Sequence, residues 1–128
     1  MVLVARRAEL VHHTGQAFAS LGVHDRALRL LEQATEDCPP DRVSGRFIYL
    51  AHSLTEAVAA GAWSDVELIL EQTMPYAQEV GSGRAAYVLR DTVDRLERAT
   101  VKPHLRDAGR RLRAVLPPVI HPERPEIG

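Results

Sequence analysis

An all-α fold of three stacked helical hairpins is what this chain predicts, and three observations carry that expectation. Ala and Leu dominate with 17 and 15 residues, whereas aromatic residues make up only 5%. Apolar residues recur at spacings of three and four, the period of a helix, with no sustained alternation of period two. Glycines and prolines fall between these periodic runs and leave room for six helices joined by short turns.

In the first helix Leu10, Ala17 and Leu21 mark one stripe, with Val4, Ala8, Val11, Gly15 and Phe18 beside it, until Gly22 interrupts the pattern. Asp25 is the expected N-cap of a second helix that carries Ala27, Leu30, Leu31 and Ala34 inward and ends at Pro39-Pro40. A third helix is expected from about Asp41 to Ala60, stopped by Gly61. Ser64 with Glu67 three residues later reads as the capping box of a fourth helix, which continues towards Val80. Pro75 lies inside it and denies the carbonyl of Glu71 its donor, so a kink is expected there. Gly81-Ser82 closes that helix and caps a fifth, roughly Gly83 to Ala99. Pro103 opens a sixth, which stops before Pro117-Pro118. Residues 1–116 therefore read as one helical domain, and 117–128, with four prolines, as a flexible tail, extended or disordered.

The helices repeat in pairs. Shifting the chain by 39 residues lays Gly22 on Gly61, the Leu31-Glu32-Gln33 triplet on Leu70-Glu71-Gln72, and Ala34 on Thr73. The same shift brings His13 onto His52, so those two imidazoles are expected to face each other. A second shift places Leu105 under Ala27 and Val66, and Leu112 under Ala34 and Thr73, although Gly109 then stands where Leu31 and Leu70 do.

Gly15, Phe18, Gly22, Ala27, Leu31, Ala34 and Pro39 have the spacing of a tetratricopeptide repeat, which the first unit resembles. The second unit keeps Gly61, Leu70 and small Thr73, and departs at Leu54, Ala57 and Val66. With Ala77 to Arg84, Leu89, Leu96 and the Arg-rich last helix, the stretch from about Ala8 to Leu116 looks like the C-terminal region of actinobacterial Cro/C1-type helix-turn-helix transcriptional regulators. The resemblance implies a right-handed solenoid whose last helix acts as a cap, with Ala27 and Ala34 where paired helices touch. It further implies a concave wall made of Glu9, His12 and Gln16, then Ile48, Ala51 and Thr55, then Tyr87, Arg90 and Asp94. Such a wall suits a peptide with an apolar centre and polar flanks. The implied role is non-catalytic protein or peptide binding, as the sensor or oligomerisation part of a regulator. The alternative is a small-ligand-sensing regulatory domain with a pocket between the helix layers.

Charge and chemistry narrow the choice. Sixteen basic and seventeen acidic residues leave a net charge of −1, which excludes a wholly basic nucleic-acid surface. Lys102, Arg106, Arg110 and Arg113 form a basic stripe on the last helix, with earlier acidic helices offering intramolecular partners, so nucleic-acid binding by this chain alone is not expected. The histidines show no metal-ligand spacing, Cys38 sits at a helix C-terminus where the dipole opposes a thiolate, and no serine lies in a nucleophile elbow. No enzyme activity, cofactor or metal is expected. The opening apolar run is followed by Arg6-Arg7, the reverse of a signal peptide, and no stretch reaches membrane-spanning length, so a cytoplasmic location is expected. Met1 to Ala5, with Leu10 and Val11, leaves an apolar end face that predicts a homodimer through the first helix.

Overall fold

The computed structural model describes residues 2–79, 83–99 and 102–117, without the side chains of Val2 and Val4. It is all-helical: α1 (Val2–Ser20), α2 (His24–Asp37), α3 (Val43–Ala60), α4 (Trp63–Glu79), α5 (Gly83–Ala99) and α6 (Pro103–Val115), with no strand among the described residues. The expected turn at Gly81-Ser82, Thr100 and the tail beyond Pro117 lie outside the described residues.

Packing follows the pairing: α1 lies on α2, α3 on α4 and α5 on α6. The pairs are joined by contacts of α2 with α3, α3 with α5, and α4 with α6. One continuous core runs from Leu28 and Phe47 through Leu54, Val66 and Leu89 to Leu105 and Leu112, and a smaller cluster of Ala8, Ala34, Cys38 and Tyr49 lies under the N-terminal end. No described helix is long and apolar enough to cross a membrane.

The turns inside the first two helix pairs close identically. Gly22 and Gly61 adopt φ of 77° and 67°, a region open to glycine because it has no Cβ. The amide of Gly22 donates to Ala19 and that of Val23 to Phe18, while Gly61 donates to Val58 and Ala62 to Ala57. Every one of those atoms pairs at the 39-residue offset read from the sequence. Burial follows the same offset: Ala27, Val66 and Leu105 form one fully buried set, and Ala34, Thr73 and Leu112 another.

Several local readings need correction. The stripe of Leu10, Ala17 and Leu21 faces solvent, and the buried stripe of α1 is Ala5, Ala8, His12 and Gly15. Leu28, not Leu30, completes the buried face of α2. Asp25 is not a cap: α2 starts at His24 with Val23 as N-cap, which puts the carboxylate inside the first turn, where it still faces the positive end of the helix dipole. Ser64 likewise falls inside the first turn of α4 and makes no capping hydrogen bond among the described residues. In both cases the chain enters the helix two residues earlier, and a backbone carbonyl at the turn (Val23 or Ala62) accepts the first helical bond.

Candidate functional site

The nine wall residues read from the sequence fall into four environments. Glu9 is exposed on α1, and Tyr87 is exposed on α5. Ile48 and Thr55 are half-buried on α3, but Ala51 is completely buried and offers a ligand no surface. Arg90 and Asp94 turn towards α6: Arg90 donates through Nε and Nη2 to the carbonyls of Pro117 and Leu116, and Asp94 accepts from Arg113 at 2.7 Å. Arg110 pairs with Glu97 at 3.4 Å, so two members of the expected basic stripe are engaged by carboxylates of α5.

His12 and Gln16 build a polar joint between α1 and α3. His12 Nε2 lies 2.8 Å from His52 Nδ1, and Gln16 Nε2 lies 2.8 Å from the same atom. His52 Nδ1 has one lone pair, so as an acceptor it takes a proton from one of these two neighbours at a time. His12 stacks on Tyr49 with ring centroids 4.4 Å apart, and on His52 at 5.0 Å. It is His12, and not His13, that meets His52: His13 lies a further hundred degrees round α1 and is exposed. Burial, with His52, His13 and Arg84 adding to it, lowers the His12 pKa to about 4. Burial and then Arg84 lower that of His52. The joint is therefore neutral near pH 7. Two imidazoles and an amide make a poor cation site, and no three His, Cys, Asp or Glu side chains converge as metal ligands among the described residues.

The second helix-to-helix joint, between α3 and α5, is a 2.7 Å bond between Thr55 and Thr92. Near the start of α2, His24 Nδ1 lies 2.7 Å from the buried carboxylate of Glu56 on α3. Cys38 is a buried free thiol, and desolvation pushes its pKa up, away from nucleophile chemistry.

Among the described residues, two concavities lie between helices. One, of about 450 Å³, lies between α4 and α6, with Leu70, Met74, Leu105 and Ala108 at its centre and Glu67, Glu71, His104 and Arg111 at its edges. The other, of about 360 Å³, lies between α2, α3 and α4. Its floor is Leu50 and Ile69, its polar wall Thr35, Ser53, Gln72 and Arg46, and its mouth Glu32, Glu36 and Leu68. Burial and then Asp65 raise the pKa of Glu32, which Arg29 contacts at 3.2 Å. Neither Arg46 nor Ser53 was singled out as a binding residue from the sequence. Nothing in their spacing distinguishes them, because the cavity is assembled from three helices.

Compared with protein-family models, with characterised proteins and with solved structures, the chain matches none.

Proposed function

We propose that the chain is a non-catalytic protein- or peptide-binding module of tetratricopeptide-like, right-handed helical hairpins. In this reading it serves as the sensor or oligomerisation part of a bacterial transcriptional regulator, and its first partner is a second copy of itself. The identical glycine turns and the buried sets 39 residues apart support the repeat.

The observation that carries the binding role is the two-faced α1. One face, with Ala5, Ala8 and His12, is buried inside the molecule. The opposite face presents Leu3 and Leu10 at 81% and 68% exposure, and Leu21 in the turn just after the helix is 76% exposed. Leu3, Leu10 and Ala17 recur every seven residues, the spacing of a seam between two helices. Pairing two such faces about a two-fold axis removes both from water at once. Glu9, Tyr87 and the half-buried Ile48 and Thr55 leave a mixed polar and apolar surface for a peptide.

Light scattering at tens of micromolar tests this: the expected mass is twice the 14.2 kDa of the chain. Leu10→Glu is expected to return the monomer with its helical circular dichroism intact. A wild-type monomer removes the dimer. For the peptide surface, a selection of displayed peptides on the full chain is expected to yield binders that Tyr87→Ala weakens. A selection yielding none, or binders indifferent to Tyr87, removes it.

A further inference from the structure

The cavity between α2, α3 and α4 carries features that packing alone does not use. Arg46 donates through Nη1 to the carbonyl of Cys38 at 3.1 Å, while its buried Nε has no hydrogen-bond partner. A buried donor left unmet is costly, and native proteins rarely keep one without a reason. No carboxylate lies within ion-pair distance of Arg46 among the described residues, although Glu32 and Glu36 share its cavity. Glu32 is contacted by Arg29, whereas Glu36 makes no ion pair or hydrogen bond among the described residues.

The two buried hydroxyls point the same way chemically. Thr35 Oγ1 donates to the carbonyl of Leu31 at 2.9 Å, and Ser53 Oγ donates to that of Tyr49 at 2.8 Å. Their protons are committed, so each oxygen can only accept from whatever enters the cavity. The site thus offers one guanidinium, several acceptors, an unpaired carboxylate and an apolar floor of Leu50 and Ile69.

Charge decides what fits. A simple anion drawn to Arg46 meets Glu32 and Glu36, and a simple cation drawn to the carboxylates meets Arg46. A molecule carrying both charges satisfies both walls. We infer that this cavity binds a free α-amino acid, its carboxylate on Arg46, its ammonium towards Glu36 and the hydroxyl oxygens of Thr35 and Ser53, and its side chain on Leu50 and Ile69. A volume of about 360 Å³ accommodates such a ligand and lies at the small end of ligand pockets. The site lies on α2, α3 and α4 and is independent of the α1 face and of peptide binding.

Calorimetry of the full chain against each free L-amino acid of proteins tests this, with acetate, methylammonium and the N-acetyl and amide forms of any hit as half-ligands. At least one amino acid is expected to bind one-to-one with a dissociation constant below about 1 mM, and each half-ligand to bind at least about tenfold more weakly. Arg46→Gln and Glu36→Gln are each expected to weaken binding by about tenfold or more. Leu68→Trp, at a half-exposed position on the mouth, blocks entry without removing a polar contact, and so gives a second readout if Arg46→Gln fails to fold. No binding by any amino acid overturns the inference. So does acetate binding as well as the amino acid, or binding that survives Leu68→Trp.

Discussion

The first and third helix pairs solve the same crossing with opposite residues. Where α1 meets α2 the small partner is Gly15 on the first helix, and a Cβ there would lie 3.0 Å from Leu31. Where α5 meets α6 the small partner is Gly109 on the second helix, and its Cβ would lie 3.4 Å from Val93 and 3.2 Å from Leu96. Val93 stands 78 residues after Gly15, and Gly109 stands 78 after Leu31, so glycine and branched residue have changed places across one contact. The middle pair has Leu54 and Leu70 at the corresponding positions, both buried. In the first and third pairs one branched aliphatic side chain fills the crossing whichever helix supplies it, whereas the middle pair accommodates two leucines there. A third unit that looks degenerate in the sequence, because Gly109 replaces a leucine, is compensated one helix away.

A double-mutant cycle in the first pair gives the largest expected effect. Leu31→Ala alone is expected to cost about 3 kcal/mol through the cavity it leaves, and Gly15→Val about 1–3 kcal/mol through overpacking. Combined, the added methyls occupy the vacated space, and the pair should cost less than the sum by about 1 kcal/mol or more. Urea midpoints that add strictly would show that the two positions do not share one volume.

The joints between pairs differ as well, and pH separates them. The α1–α3 joint holds His12, and the α3–α5 joint holds two threonines. Folded His12 titrates at about 4 against 6.5 for an ordinary histidine. Between those values the unfolded chain binds more protons than the folded one, so stability rises with pH across the window and is lost as pH falls from about 6.5 towards 4. The loss attributable to His12 is expected to be about 2–3 kcal/mol. His12→Asn should flatten that part of the profile, whereas Thr55→Val should lower stability and leave the slope as it was. Hydrogen exchange at pH 5 should show α1 amides losing protection before those of α5.

The smallest effects grade the glycines. Gly109→Ala gains about 1 kcal/mol of helix propensity against a 3.2 Å approach to the flexible end of Leu96, and is expected to change stability by less than about 1 kcal/mol either way. At Gly45 the nearest atom to an added Cβ is Cys38 Sγ at 3.7 Å, an ordinary contact. Gly45→Ala is therefore expected to stabilise by about 0.5–1 kcal/mol. Thermal midpoints are expected in the order Gly45→Ala, Gly109→Ala, Gly15→Val, highest first.

Local chemistry settled much of this fold before any contact formed. Helix-breaking residues have short-range causes, so Gly22, Gly61, Pro103 and the Pro39-Pro40 pair placed the helix ends within a few residues. The 39-residue offset carried the buried sets, because a repeated interface needs repeated side-chain volumes. Tertiary structure decided which face of an ambiguous helix is inside. In α1 both Leu10 and Ala8 have helical spacing, and only the approach of α2 at Gly15 selected Ala8 and exposed Leu10. That choice also exchanged His13 for His12 opposite His52, since one residue turns a side chain through about a hundred degrees. The cavity around Arg46 was invisible for a related reason: its walls come from three helices, and no spacing along one chain records a volume enclosed between them.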